Sequence, residues 1–180
     1  MTTPGQPAAL TALLGEGKLA GSWTLDAARS QVRLATKSMW NLVSVKGVFG
    51  EVSGAGTVTA AGEVTGTVTV AAGSIDTKIK KRDDHLRSAD FFDSANYPDI
   101  TFSVEAVSLA ADGVTVAGSL TVQETTRPVS FGAAVSGGDG EVTFDAEVPV
   151  NRTDYGLTFN QLGMMATRNT ITIHAVFTRQ

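Results

Sequence analysis

From Glu141 to Val150 the chain reads EVTFDAEVPV, and every second residue (Val142, Phe144, Ala146, Val148, Val150) is apolar. An extended backbone sends successive side chains to opposite faces, so this spacing predicts a strand that buries one face and wets the other. The alternation recurs. Val64, Val68 and Val70 alternate with Thr65, Thr67 and Thr69, and Ile100, Phe102 and Val104 follow one segment later. Val114, Val116, Leu120 and Val122 share a face with Gly118, then come Val129 with Phe131, and last Ile171, Ile173, Ala175 and Phe177. The stiff β-branched residues that suit a pleated surface are abundant, with 23 Thr and 20 Val.

Turn chemistry separates the runs where a meander needs it, at Ala61-Gly62, Asp112-Gly113, Glu124 to Pro128 and Gly137 to Gly140. Adding Ser22–Leu25, Val32–Lys37 and Val43–Val58 gives about eight or nine strands, the number at which a sheet closes on itself around side chains or one slender ligand. A two-sheet sandwich is the alternative that periodicity leaves open. Residues 1–21 differ, with Pro4, Pro7, Gly15, Gly17 and Gly21 among small residues. They are read as a flexible tail with at most one helical turn, ahead of a single domain over residues 22–180.

Net charge is −4, which argues against a surface built for phosphate backbones, so no nucleic-acid partner is expected. The absence of cysteine excludes disulfides, thiolate metal sites and a Cys nucleophile. The longest uncharged stretch, Met1 to Gly15, is too short and broken to span a bilayer. No basic residue precedes the early apolar run, so no secretory signal is read and a cytoplasmic location is expected. Asn151-Arg152-Thr153 matches the glycosylation acceptor pattern and is read as chance in that setting.

Two segments break the strand pattern. Asp76 to Asp93 packs 10 of the 32 charged residues into 18 positions, five of each sign. Ile79 and Leu86 lie seven apart, and Asp76 or Thr77 is placed to cap a short helix. This helix is read either as a solvated cover held by Ile79, Leu86, Phe91 and Phe92, or as a carrier of Arg82, His85 and Arg87 toward an anionic head group. Asn151 to Arg168 has no clean period, and Leu157, Phe159, Leu162, Met164 and Met165 are candidates for an adaptable apolar opening.

Catalytic motifs are sparse. Only His85 and His174 are present, which excludes a three-His zinc site, and no metal or other cofactor is expected. His174 alternates against Ile171 and Ile173 and is read as outward-facing. Neither a nucleophile elbow nor a phosphate-binding glycine loop occurs.

The run Ser74-Ile75-Asp76-Thr77, then Arg82 to Ser88, Asp90-Phe91-Phe92-Asp93 and Tyr97 to Phe102, closely resembles the signature of the YceI family of lipocalin-like, polyisoprenoid-binding proteins. Gly47-Val48-Phe49-Gly50, Leu120-Thr121-Val122, Thr126 to Val129 and Arg152 to Leu157 extend the resemblance over residues 21–179. Gly21-Ser22-Trp23 also resembles the G-x-W of lipocalins. The resemblance implies an all-β, eight-stranded antiparallel lipocalin-like barrel with a short helix at its mouth, an isoprenoid in the lumen and no catalytic activity.

Physical chemistry supports such a ligand separately. Burying one five-carbon isoprene unit is worth about 3 to 4 kcal/mol gross, so a few units offset the loss of freedom on association. A diphosphate head, in contrast, resists entry into an apolar lumen and stays at the mouth. The expected division places Trp40, Phe49, Phe102, Phe131, Phe144 and Phe159 around the tail, Phe91 and Phe92 at the rim of the mouth with Leu162 and Met164 at the apolar opening, and Arg82, His85 and Arg87 near the head. The function expected is non-enzymatic binding, storage or transport of an isoprenoid or similar long-chain amphiphile. The alternatives are a small-substrate hydrolase or isomerase using His85 as acid/base, and a solid barrel serving as an interaction module. A homodimer through the outer face is left open.

Overall fold

The structure, a computed structural model, describes residues 12–14, 16–40, 42–138, 140–160 and 165–180. Among these the chain forms β1 (Gly21–Leu25), β2 (Gln31–Ser38), β3 (Val43–Phe49), β4 (Val52–Val58), β5 (Val64–Ala71) and β6 (Ile75–Asp76). A helix, α1 (Lys80–Arg87), precedes β7 (Asp99–Ala110), β8 (Gly113–Val122), β9 (Thr125–Gly137), β10 (Glu141–Asn151) and β11 (Arg168–Arg179).

Pairing reduces these pieces to eight long strands. β2 pairs with β3 while β1 pairs with β4. In turn β4 pairs with β5 while β3 pairs with β6. So β1/β2, β3/β4 and β5/β6 are single strands, bent at residues 26–30, at Gly50-Glu51 and at the 3-10 turn Ala72–Ser74. From β5 the ladder runs antiparallel through β7, β8, β9, β10 and β11. β11 then returns to the start, pairing with β2 from Thr170↔Ala35 to His174↔Gln31 and with β1 at Trp23↔Arg179. The sheet therefore closes as an eight-stranded up-and-down antiparallel barrel, and not as a sandwich. Closure removes most free sheet edges.

The alternation reads directly into the walls. In β8, Val114, Val116, Gly118, Leu120 and Val122 are all buried while their neighbours are half-buried. Gly118 is required by close approach: a Cβ there would press into the Ser103 carbonyl oxygen and lie 2.8 Å from Phe102 Cζ.

The two ends are finished differently. Residues 12–14 are helical, and Leu14 and Leu19 pack with Trp23 beneath the barrel, so the latter part of the expected tail is docked. The Trp23 indole N–H donates to the Leu19 carbonyl at 2.9 Å, and the Arg179 guanidinium lies 5.2 Å from the Trp23 ring centroid while donating to the Lys18 carbonyl. At the opposite end sit α1, the β2–β3 hairpin and the segment joining β10 to β11.

Helix α1 is capped in a way the spacing does not predict. Neither Asp76 nor Thr77 is the cap. Asp83 reaches back from the first turn, buried, and accepts from the Thr77 backbone N–H at 2.8 Å and hydroxyl at 2.5 Å. Asp76 accepts from the Lys78 N–H instead. Leu86 packs inward as expected, whereas Ile79 is half exposed and anchors little.

Candidate functional site

Inward residues of the eight strands leave a cavity of about 300 Å³ along the axis. Its wall runs from Leu14, Leu19 and Trp23 at the base to Arg152, Tyr155 and Met165 at the mouth. A cavity of that size is at the lower end of small-molecule sites. Two features keep it open. Gly56 and Gly66 face each other across β4 and β5, thinning the wall there, and inward Phe102, Phe131, Phe144 and Phe177 remain only half-buried because they border space. Phe102 stacks 5.5 Å from Phe131, and Phe144 stands 5.9 Å edge-on to Phe177.

Phe49, Phe102, Phe131 and Phe144, expected around the tail, line the lumen, and so do Phe91 and Phe92, expected at the rim of its mouth. Phe159 does not face the cavity but meets Phe91 at 5.4 Å. Trp40 is displaced from the expectation altogether. It sits 63% exposed at the β2–β3 tip beside exposed Met39 and Leu42, because it stands in the turn past the end of β2, beyond the Val32, Leu34 and Thr36 stretch that lines the lumen. Leu162 and Met164 lie outside the described residues.

The cationic head site over α1 is also corrected. Arg82 donates to the Thr77 hydroxyl and carbonyl, both at 2.8 Å. Arg87 donates to the carbonyls of Gly73 at 2.7 Å and Ile75 at 2.9 Å, fastening α1 to the bend between β5 and β6. The Thr77 hydroxyl and carbonyl thus engage Arg82 and two backbone carbonyls engage Arg87, and neither side chain borders the lumen. His85 lies just outside as well, 3.0 Å from Asp90 and edge-on to Phe91 at 5.1 Å and Phe159 at 4.9 Å. It joins α1 to the mouth segment as a packing element. His174 faces outward, 2.6 Å from Asp145.

The residue that sequence reasoning left out of the site is Arg152. It is 5% exposed, borders the cavity, and stands in the 3-10 turn Arg152–Tyr155 that follows β10. Asn151 caps this turn by accepting from the Thr153 N–H at 3.0 Å, and Gly156 ends it at φ 78°. From there Arg152 donates through Nη1 to Leu157 at 2.6 Å and Phe159 at 2.8 Å, through Nε to Ala166 at 3.0 Å, and through Nη2 to Met165 at 3.4 Å. All four acceptors are carbonyls, and among the described residues no carboxylate pairs with it. Burial without a counter-charge pulls its pKa below the ordinary guanidinium value. Burial likewise pushes the Tyr155 phenol above its usual range. The sequence carried little signal for it: Arg152 stands two residues before Asp154, and an Arg–Asp pair between strands reads as surface.

Comparison with known proteins agrees with this architecture. A family model described as "YceI-like domain" matches residues 23–177. The chain is 35% identical over 96 residues to Protein YceI of Escherichia coli O157:H7, and 34% identical over 97 residues to Protein YceI of Salmonella newport. Each match covers about half of both partners, 50% for the first and 51% for the second. Among solved structures, Burkholderia cenocepacia BcnA superposes with a TM-score of 0.76 at 25% identity, over 84% of this chain and 98% of its own. A polyisoprenoid binding domain from Saccharophagus degradans shares the fold at a TM-score of 0.70 and 17% identity, over 88% of this chain and 98% of its own. An up-and-down barrel with α1 inserted between β6 and β7, matched by the family model along nearly its whole length, places this chain in the YceI-like family.

Proposed function

We propose that this protein is a non-enzymatic carrier that holds the apolar tail of a long-chain amphiphile, with isoprenoids as the first candidates, in the barrel lumen. The observation that carries the reading is a predominantly apolar wall around a cavity that side chains do not fill. Among the described lining residues there is no carboxylate and no histidine, which leaves the wall poor in acid–base groups. The similar domain from Saccharophagus degradans is a polyisoprenoid binding domain, which supports the choice of first ligand. Tail burial at about 0.8 kcal/mol per methylene makes affinity grow with chain length until the lumen is full.

The test has two arms. Purified protein is extracted with organic solvent for lipid mass spectrometry, and delipidated protein is titrated with prenols of increasing length. The expected result is a co-purifying amphiphile, affinity that rises with chain length, and a loss of binding in Ala146→Phe, which projects a ring into the lumen. No extracted lipid together with no prenol binding overturns the reading.

A further inference from the structure

Just inside the mouth, Asn169 Oδ1 is buried without a hydrogen-bond partner, and the Asn169 side chain borders the lumen. Its position relative to Arg152 follows from register. Val150 pairs with Asn169 and Asn151 with Arg168, and the Arg152 N–H donates to the Thr167 carbonyl at 2.9 Å, one step further along. Arg152 is two residues beyond Val150 on the same face, so it and Asn169 are diagonal cross-strand neighbours, the geometry in which long side chains reach one another. The Met165 contact of Nη2, at 3.4 Å, is the longest of the four Arg152 bonds. Among the described residues the pair therefore offers an under-used guanidinium N–H, an amide with no protein partner, and a positive charge without a counter-ion.

The geometry points to a head-group site: Arg152 and Asn169 take the carboxylate of a long-chain acid whose tail fills the lumen. The inference rests on the carrier reading and deepens it. One carboxylate oxygen accepts from Arg152 Nη2. The other accepts from the Asn169 amide N–H₂, the end of that amide that is not enclosed. A single negative charge cancels the single uncompensated cation. A diphosphate brings more charge than one guanidinium can match in an apolar enclosure, and a neutral alcohol leaves the cation unpaired. Both are discriminated against for that reason.

The experiment titrates full-length delipidated protein with three probes of matched chain length: dodecanoate, dodecanol and farnesyl diphosphate. Dodecanoate is expected to bind about tenfold or more tightly than dodecanol, the gain of a charge-assisted contact. Asn169→Asp places a carboxylate beside the site and is expected to weaken dodecanoate about tenfold or more while leaving dodecanol nearly unchanged. Asn169→Leu removes an amide that bonds nothing, so it keeps the fold and is expected to weaken only dodecanoate. Equal affinity for the acid and the alcohol, tighter binding of the diphosphate, or insensitivity of dodecanoate to both Asn169 variants overturns the head-group assignment while leaving the carrier reading intact. Binding of none of the three overturns both.

Discussion

Arg152 ties its own turn to both flanks of the mouth segment, so its removal has a predictable shape. Arg152→Met leaves four carbonyls without their donor, and at about 1 kcal/mol net per lost bond the expected destabilisation is about 4 kcal/mol in denaturant unfolding. Amide exchange at residues 157–160 and 165–167 is expected to quicken more than in β8, which bears no contact to it. Gly118 is the complementary case, where a missing side chain matters. Gly118→Ala is expected to cost at least about 2 kcal/mol, because the added Cβ meets the Ser103 carbonyl and the Phe102 ring, and Phe102 is part of the lumen wall. At this scale the sequence was legible where periodicity applied: Phe102, Phe131 and Phe144 point inward because they stand in clean alternation. Arg82 and Arg87 were misread because a charge on a short helix gives no sign of the carbonyls that the fold brings to it.

Helix α1 and the β2–β3 hairpin frame the mouth, and each carries its own strain or charge. Met39 and Trp40 both adopt positive φ, 51° and 53°, a region that bulky side chains enter at a cost of about 1 to 2 kcal/mol per residue. Trp40→Gly is therefore expected to raise the thermal midpoint or leave it unchanged, which differential scanning calorimetry measures directly. A drop would show that the exposed indole makes contacts that outweigh the backbone strain. Around α1, the Lys78 N–H and ammonium hold the Asp76 carboxyl below its usual value, and the Lys80 ammonium does the same for Asp84. A carboxyl depressed in the folded state adds stability that is complete above its unfolded value near 3.8 and vanishes as pH falls through the lower folded value. Exchange protection of α1 is thus expected to fall on acidification below that value. The barrel strands, paired by backbone bonds that do not titrate, should respond less. The helix was legible from its charge density, but its cap was not, because Asp83 closes on Thr77 only once the entry to α1 is folded back.

At the scale of the whole molecule, about eight or nine strands were countable from alternation and turn residues, but their number left a two-sheet sandwich open until the pairing of β11 with β1 and β2 showed closure. Val43–Val58 was read as one run through Gly50-Glu51, but the continuity of β1 with β2 and of β5 with β6 was not legible, since residues 26–30 and Ala72–Ser74 look like ordinary strand interruptions until pairing shows the halves continuing one another. Whether the lumen was open also lay beyond periodicity, which tells which side chains point inward but not how much volume they leave between them. Ala146→Phe addresses that volume: overpacking is expected to cost about 1 to 3 kcal/mol if the cavity cannot absorb the ring, and close to nothing if it can. Equilibrium unfolding of lipid-free protein reads the difference. The double pairing of β11, to β10 along one side and to both β1 and β2 along the other, sets the order in which this barrel comes into being on the ribosome. Until that last strand has left the exit tunnel, the earlier seven form an open meander with two raw edges. The barrel is therefore completed by sealing a seam, and its greatest exposure to sticky neighbours falls just before β11 arrives.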